Sequence, residues 1–576
     1  MLENAMKTAR TPSMTGPAAE KQRKLSLWPL LCYTGVYLLT LLMMVSVLYT
    51  VAGIKTNLWL SLSLKWLGHW IPTQALRNAS DDRYLSIHRT SFIEMMALLA
   101  ILFVVYALAA FFIYRQKNSS LYTYMLTLIW IGAVVGGAIF LFTPGILTTD
   151  VYAYASYGRL LTLYSSNPYF VPPSAFPHDV TYQWLYWKST VSIYGPIWTL
   201  VSAGLALVGS STQMTIILVF RSFALLCHFA NIVLIIACLR TMRRSPHIVL
   251  LGALLYAWNP LVLLEAGLGA HNDVFMVTFM LLGFYLSARA ERAGTFLQWR
   301  GYIPAILAFT AAFLVKFSAA PVLAVFVLAL FFATIKADSK NGKLTWLPAL
   351  RSAIIASCVF LIMSLVFYGP FWIGHSPSEI IHGFTSLPSN AQSISSVLAT
   401  FSYMNNAHAL PASLMFLKSR KLWNIVNVLA MLVPIALGCI YLWRAPNTRT
   451  IALVTLASLT GFLLTAPWFF SWYLIWLVGL VPFCLSDVRM GRLSRATMVF
   501  GLTFSATAFF AYFTTMVGWR LLGFKPPQLA WSGWQNAAML LVPIVAFLLF
   551  LKFWPVRRDV SAAPAVAGVV PSDVKA

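Results

Sequence analysis

The sequence has little charge for its length. Only 10% of its 576 residues are charged, and 15 of them are acidic. An ordinary globular chain is about 25% charged. With 60% of residues hydrophobic, too little polar surface remains to enclose soluble cores. The composition therefore excludes a chain built only of soluble domains.

The sequence also lacks the common cofactor motifs. It contains no glycine-rich dinucleotide loop, Walker motif, HExxH or CxxC, so it gives no indication of a nucleotide cofactor or structural zinc. The net charge of +25 comes from Lys and Arg in short loops between apolar runs, which argues against a nucleic-acid partner. The cysteines lie inside apolar runs and are typical of small core residues. They are Cys32, Cys227, Cys238, Cys358, Cys439 and Cys484.

Long apolar runs are present instead, each near the roughly 20 residues that a spanning helix needs. In lipid the backbone polar groups of such a run must be satisfied within the helix. We predict an all-α polytopic membrane protein with about 14 transmembrane helices, plus interfacial or re-entrant helices in outer loops. The apolar segments fall near 28–51, 91–114, 121–142, 194–210, 214–239, 247–266, 271–288, 300–315, 319–335, 349–368, 424–443, 450–467, 470–486, 496–517 and 536–554.

The basic loops predict the topology. Clusters such as Arg240/Arg243/Arg244 and Arg289/Arg292 mark the cytoplasmic side, and both chain ends are basic enough to lie there. Two cytoplasmic ends require an even number of crossings, so one apolar segment does not span. We expect this to be 194–210, a short run that begins Tyr194-Gly195-Pro196.

This topology predicts three parts. A basic cytoplasmic tail covers 1–27, a polytopic membrane domain covers 28–558, and a disordered C-terminal tail covers 559–576. The outer loops of the membrane domain are predicted at 52–90, 143–193, 369–423 and 518–535.

Acidic residues are rare, so those near the outer side are informative, because ionisable groups at membrane depth are costly and are usually functional. Asp150 follows the outer end of a predicted span, with Tyr154, Tyr157 and Arg159 after it at helical spacing. An alternative is that Asp150 only caps the helix that follows.

A second cluster lies in the turn Glu265-Ala-Gly-Leu-Gly-Ala-His271-Asn272-Asp273. Here too, Asn272 or Asp273 could simply cap the next helix. Lys316 breaks the positive-inside pattern, which indicates an anionic partner such as a phosphate, unless it snorkels to a lipid headgroup.

Aromatic residues follow the outer end of a later span. Trp468, Trp472 and Tyr473 could stack on a sugar, although most residues of this kind form an aromatic belt at the membrane surface.

Several segments together resemble the polyprenyl-phosphomannose-dependent mannosyltransferases, in particular the actinobacterial α-1,6-mannopyranosyltransferases of the membrane-embedded GT-C class. The resemblance runs in order from about residue 140 to 480. The segments are Asp150-Val-Tyr-Ala-Tyr-Ala-Ser-Tyr-Gly158-Arg159, Asn167-Pro168-Tyr169, Tyr194-Gly195-Pro196-Ile197-Trp198, Asn259-Pro260-Leu261, Gly269-Ala-His271-Asn272-Asp273, Val315-Lys316 and Pro467-Trp468…Trp472-Tyr473-Leu474.

The resemblance implies a GT-C-like fold, a site facing out of the cytoplasm in the plasma membrane, and a polyprenyl-phosphate sugar donor. It also implies that Asp150 is catalytic. A carboxylate there could accept the proton of an attacking acceptor hydroxyl, and a single displacement would invert the anomeric carbon. For the donor phosphate we expect Lys316, Arg159 and His271. For the sugar and acceptor we expect Asp273, Asn272, Glu265, Tyr154, Tyr157, Tyr194, Trp468 and Tyr473.

The predicted partners are a lipid-linked donor that carries a hexose such as mannose, a glycan or glycolipid acceptor, and membrane lipid. No cofactor is expected to be required, although Asp150 and Asp273 could together hold a divalent cation. The alternative function is a transporter or flippase for a lipid-linked sugar, which would also need many helices and a polar cavity.

Overall fold

The computed structural model describes residues 17–53, 82–116, 119–143, 148–209, 212–340, 346–385, 395–486, 492–512 and 526–553. These residues form helices joined by loops, with no strand among them. Most of the predicted tails 1–27 and 559–576, and parts of the predicted loops 52–90 and 518–535, lie outside the described residues. The helices are α1 Pro17–Gly53, α2 Asp82–Arg115, α3 Tyr122–Phe142, α4 Asp150–Thr162, α5 Pro196–Val208, α6 Gln213–Thr241, α7 Pro246–Ala257, α8 Pro260–Leu264, α9 Asp273–Arg292, α10 Trp299–Val315, α11 Ala320–Lys340, α12 Leu347–Trp372, α13 Pro377–Thr385, α14 Val397–Asn406, α15 Arg420–Arg444, α16 Thr448–Thr465, α17 Leu474–Cys484, α18 Arg492–Tyr512 and α19 Pro526–Phe553.

The prediction of an all-α polytopic membrane protein is confirmed. Eleven helices of the described residues are long and apolar enough to cross a membrane, or 12 if one bent pair counts as a span. The prediction of about 14 was higher because it also counted the segments 300–315 and 470–486, whose helices Trp299–Val315 and Ser471–Cys484 are shorter. The segment expected not to span, 194–210, contains a third short apolar helix, Pro196–Val208. Its 13 residues extend about 20 Å, less than the roughly 30 Å of hydrocarbon.

The apolar segment predicted at 247–266 is two helices rather than one. Helix α7 ends at Ala257, α8 restarts at Pro260, and the axis bends by 50° between them. Proline cannot donate a backbone hydrogen bond but fits the first turn of a helix, and the Asn259 side chain caps that turn by accepting from the N–H of Leu261.

The carbonyls freed at this break have partners inside the protein. The Tyr106 hydroxyl donates to Leu255 O at 2.6 Å, and the Tyr37 hydroxyl donates to Trp258 O at 2.8 Å. An unsatisfied carbonyl in hydrocarbon would cost several kcal/mol. Helices α1 and α2 therefore stabilise the bend that directs α8 toward the candidate site.

The long helices run between two ends of the bundle. We call the end that holds Asp150, Asp273 and Lys316 the site end, and the end that holds Arg244 and Arg292 the basic end. Helix α9 joins the two, from Asp273 to Arg292, so its 20 residues separate the ends by about 30 Å. The flanking helix α17 is buried along all of its length, so the site end sits at the mouth of the packed core.

The predicted outer loops 143–193 and 369–423 contain helices of their own. Helix α4 lies in the first loop, and α13 and α14 lie in the second. The first loop is tied together by the Tyr157 hydroxyl, which donates to Thr190 O at 2.8 Å, and is joined to α12 by the Asn167 side chain, which donates to Phe371 O at 2.6 Å. These contacts close the site end from one side.

Candidate active site

One face of α4 carries the candidate base. Asp150, Tyr154 and Tyr157 recur at intervals of four and three residues, which places them on the same side of a helix. Thr149 is the N-cap residue, and no side chain makes a capping hydrogen bond there. Capping therefore does not account for Asp150, whose side chain keeps 18% of its surface exposed.

The carboxyl group of Asp150 lies in low-dielectric surroundings. Burial raises the pKa of Asp150 above its ordinary value, the charges of His271 and Lys316 oppose this rise, and Asp273 adds to it. A carboxylate with a raised pKa is a stronger base than one in water, which is the property that proton abstraction from a hydroxyl requires.

His271 connects Asp150 to a second, fully buried carboxylate. Its Nε2 lies 3.2 Å from Glu265 Oε2, and its Nδ1 lies 3.9 Å from Asp150 Oδ2. The backbone makes this arrangement possible. Residues Glu265–Gly269 form a π-helical turn, and Ala270 adopts a left-handed conformation with φ of 52°. A side chain at Gly269 would collide with Glu265 and His271.

Aromatic groups hold the imidazole in place. The ring of Trp472 stacks on His271 with centroids 4.1 Å apart and planes 12° apart. The Tyr154 hydroxyl lies 3.4 Å from both His271 Nδ1 and Asn272 Oδ1. Trp472 thus packs inside the site end and does not belong to an aromatic belt.

Asp273 and Lys316 form an ion pair in which the carboxylate is fully buried and the Lys316 side chain is 17% exposed. Lys316 Nζ lies 2.8 Å from Asp273 Oδ1, and the Trp476 indole N–H donates to the same oxygen at 2.6 Å. The ammonium also lies 4.2 Å from the centroid of the Tyr473 ring. Asp273 does not act as a helix cap, since α9 has no side-chain cap hydrogen bond. Lys316 pairs with a carboxylate inside the protein instead of extending to a lipid headgroup.

The backbone around Lys316 is fixed by the start of α5. Gly195 donates its N–H to Val315 O at 3.0 Å, and a side chain at Gly195 would collide with Leu314 O. Helix α10 ends at Val315, and Lys316 itself is extended. The Tyr194-Gly195-Pro196 motif therefore sets the position of the lysine.

Two cavities meet at the site end. A pocket of about 180 Å³ contains the charged residues Asp150 and Arg420, and we call it the polar pocket. A groove of about 290 Å³ runs beside it; Lys316 is the one charged residue among its described lining, and we call it the apolar groove. The residues common to both are Ile193, Tyr194, Lys316, Trp468 and Tyr473. The polar pocket is otherwise lined by Ala153, Tyr154, Tyr157, Trp187, Thr190, Arg420, Phe470 and Trp472. The groove is otherwise lined by Tyr169, Phe170, Ser192, Phe317, Ser318, Trp372, Ile380, Phe462 and Trp476.

The predicted site residues therefore separate into two sets. Asp150, Tyr154, Tyr157, Tyr194, Lys316, Trp468 and Tyr473 line the polar pocket. Glu265, His271, Asn272 and Asp273 are at most 1% exposed and line neither cavity. The structure thus places these four behind the pocket wall, where they support Asp150 and Lys316 and do not themselves face the open space.

Arg159 is not part of this cluster. It follows Asp150 by nine residues, which at about 100° each puts it on the opposite face of α4. There its Nε lies 2.8 Å from Asp179 Oδ2. Burial alone would raise the pKa of Asp179, but hydrogen bonds from Thr181 and Arg159 outweigh it and hold that pKa below its ordinary value. The structure therefore pairs Arg159 with Asp179 within the segment 143–193, away from the pocket that contains Asp150, where the donor phosphate was expected.

No group of three His, Cys, Asp or Glu side chains converges to hold a metal ion among the described residues. The two carboxylates expected to share a cation also differ in environment, because Asp273 is already paired with Lys316.

Sequence reasoning missed three residues of the site. Trp476 bonds Asp273, while Arg420 and Trp187 line the polar pocket. The spacing of Trp472, Tyr473 and Trp476 at three and four residues was a usable signal for one helical face. Arg420 had no such signal, because it begins α15 after a region without any recognisable pattern.

Comparison with known proteins found one family match. The family model described as Alpha-(1->6)-mannopyranosyltransferase, N-terminal domain, matches residues 30–333, which is more than half of the chain. No curated protein and no solved structure matches. The matched region contains Asp150, Glu265, His271, Asp273 and Lys316. The chain therefore belongs to the alpha-(1->6)-mannopyranosyltransferase family, whose members are glycosyltransferases that transfer mannose.

Proposed function

We propose that this protein transfers a mannosyl residue from a polyprenyl-phosphate carrier to a glycan or glycolipid acceptor, with inversion, on the outer face of the plasma membrane. The observation that carries the proposal is the position of Lys316. Its ammonium lines both the polar pocket and the apolar groove, and a polyprenyl-phosphate sugar has its one phosphate at the junction of a polar and an apolar part.

The two cavities match the two parts of such a donor. The groove is walled by aromatic and aliphatic side chains such as Phe317, Trp372 and Phe462, which suit an isoprenoid chain. The polar pocket offers Tyr154, Tyr157 and Arg420 to a sugar and its acceptor. Lys316 would then meet the phosphate where its negative charge grows as the sugar leaves.

Asp150 is the proposed general base. A polyprenyl phosphate is a good leaving group, so the main task is to remove the proton of the attacking acceptor hydroxyl. The side chain opens into the polar pocket at the N-terminus of α4, and its pKa is raised by burial. A single attack on the anomeric carbon opposite the departing phosphate breaks one C–O bond, forms another and inverts the configuration.

Glu265 and His271 are proposed as positioning residues. Glu265 Oε2 lies 3.2 Å from Nε2 of the imidazole, and the other ring nitrogen, Nδ1, lies 3.9 Å from Asp150 Oδ2. A carboxylate behind a histidine fixes the ring's orientation and tautomer. This arrangement would keep the Asp150 carboxylate oriented toward the acceptor hydroxyl that it deprotonates.

The outer-face assignment rests on charge. The site end is separated by the length of α9 from a basic end that carries Arg243, Arg244 and Arg292. Clusters of Lys and Arg are retained on the cytoplasmic side. The pocket with Asp150 would therefore open away from the cytoplasm.

The test is mannosyl transfer by purified protein in vesicles, with radiolabelled polyprenyl-phosphate mannose and a glycolipid acceptor pool. We expect Asp150→Asn to lose about 10²- to 10⁴-fold in rate, the usual contribution of a general base. Glu379→Gln is the matched control, because Glu379 has a 58% exposed side chain outside the site. Equal rates for wild type and folded Asp150→Asn would remove Asp150 from the chemistry.

A further inference from the structure

A third cavity lies at the basic end, far from the candidate active site. It has a volume of about 550 Å³ and sits where α6 and α9 end and α16 begins. Helix α9 carries Asp273 at one terminus and Arg292 at the other, so about 30 Å separate this cavity from the site. The cavity is lined by Thr241, Met242, Arg243, Arg244, Ala288, Glu291, Arg292, Asn447 and Arg449.

The cavity wall is strongly cationic. Among the described lining residues, four arginines accompany one carboxylate, Glu291. That carboxylate is already engaged, since its Oε2 accepts from the backbone N–H of Thr448 at 3.0 Å and from the Thr448 hydroxyl at 2.8 Å. Like charges brought together around a shared cavity repel one another unless an anion lies between them.

Arg449 is half-buried, whereas the Arg243 and Arg292 side chains are exposed at the cavity wall. Arg449 Nη2 donates to Ser494 Oγ at 3.1 Å, while its Nε is buried and has no hydrogen-bond partner among the described residues. Arg243 has a left-handed backbone conformation with φ of 55°, which is uncommon for residues other than glycine, asparagine or aspartate. The chain accepts that conformation where it turns from α6 into α7.

We propose that this cavity binds a phosphate-bearing anion, with Arg243, Arg292 and Arg449 as its ligands. Guanidinium groups present paired donors that match the oxygens of a phosphate, and such charge-assisted hydrogen bonds are about twice as strong as neutral ones. The phosphate belongs either to the headgroup of an anionic membrane lipid or to a soluble phosphate compound.

The bound anion would join three helix ends. Arg243 follows α6, Arg292 ends α9, and Arg449 lies in the first turn of α16. An anion between them replaces mutual repulsion by attraction, so its binding should stabilise the folded protein by an amount that grows with the logarithm of its concentration above the Kd.

The test compares thermal unfolding midpoints of the full chain in a neutral detergent. The probes are phosphatidylglycerol, phosphatidylcholine and inorganic pyrophosphate. The variant is Arg243→Gln/Arg292→Gln, with each single change measured beside it in case the double variant fails to fold. Arg300→Gln is the matched control, because Arg300 is exposed on the same end, at the start of α10, and does not line the cavity.

We expect phosphatidylglycerol to raise the midpoint of wild type and of Arg300→Gln, and the double variant to need at least about tenfold more lipid, as loss of about 1.4 kcal/mol implies. The same loss of response to pyrophosphate alone would also support the site and assign it to a soluble ligand. Equal responses of all variants to each probe, or a response to phosphatidylcholine equal to that to phosphatidylglycerol, would overturn the proposal. None of these readouts depends on transfer activity, so failure here is distinct from failure of the proposed function.

Discussion

The polar pocket and the apolar groove share a wall but differ in what stands behind it. Behind the polar pocket lie Glu265, His271 and Asn272, all buried. Around the groove lie aromatic rings, such as Tyr368 stacked on Trp372 with centroids 5.2 Å apart. The pocket is thus backed by groups that fix charge and hydrogen bonds, whereas the groove is backed by groups that supply contact area.

The difference indicates a division of labour. Buried charge and hydrogen bonds give directional control over a reacting group, while apolar contact is non-directional and grows with the area covered. Changes in the pocket should therefore alter the chemical step, and changes in the groove should alter binding of the carrier. Lys316 lines both cavities, so a substitution there should affect both the chemical step and carrier binding.

The largest effect is expected at Lys316. Lys316→Met removes the cation from both cavities and leaves the fully buried Asp273 carboxylate with the Trp476 N–H alone. Breaking a buried ion pair from one side costs about 3–5 kcal/mol. We expect a markedly lower thermal midpoint, measured at one fixed scan rate, together with loss of transfer.

The double variant Lys316→Met/Asp273→Asn separates stability from function. An amide oxygen at position 273 can still accept from Trp476, and no buried charge remains unpaired. We expect most of the midpoint to return while transfer stays absent. Recovery of transfer in the double variant would show that Lys316 only neutralises Asp273 and does not serve the donor phosphate.

The next effect concerns a matched pair of tryptophans. Trp372 lines the groove but not the polar pocket, and Trp187 lines the polar pocket but not the groove. We expect Trp372→Ala to raise KM about tenfold for a long-chain donor, equivalent to about 1.4 kcal/mol of lost contact, and to leave a short-chain analogue unaffected. Trp187→Ala should affect both donors alike. The assay is the initial rate of transfer against donor concentration for each chain length, and equal effects of the two variants would contradict the assignment of the groove.

The broad fold could be predicted from the sequence, because length and hydropathy of apolar runs are local properties. What could not be predicted was where a run stops being one straight helix. The segment 247–266 carries Asn259-Pro260 at its break, but the stability of the 50° bend depends on hydroxyls from Tyr37 and Tyr106, which lie more than 100 residues earlier in the chain.

The candidate site shows the same limit. The rare charges Asp150, Asp273 and Lys316 could be picked out because charge is costly in this environment. The pairing between them could not, since Asp273 and Lys316 come from different helices. Arg159 was expected at the donor phosphate because its helical spacing was considered without the rotation of about 100° per residue. Arg420 was missed because a single arginine at a helix start is common.

The smallest expected effect is a shift in the pH dependence of transfer, which reports on the environment of Asp150 while Asp150 itself is kept. Burial raises the pKa of its carboxyl group, and the charge of His271 opposes this, so the acid limb of kcat/KM against pH should lie above the ordinary carboxyl value of about 3.9. His271→Gln should move that limb to higher pH, whereas His375→Gln, at a His–Glu pair that does not line the polar pocket, should leave it in place.

Stability should change in the opposite direction to activity. Because the pKa of Asp150 is higher in the folded than in the unfolded chain, the folded protein binds this proton more tightly. The contribution of this group to stability is then greatest at low pH and is lost as pH rises through the window between the unfolded and the raised folded value. Transfer rises over that same window. An acid limb at the ordinary carboxyl value, unmoved by His271→Gln, would mean that the polar pocket does not hold its base in the low-dielectric setting that distinguishes it from an exposed carboxylate.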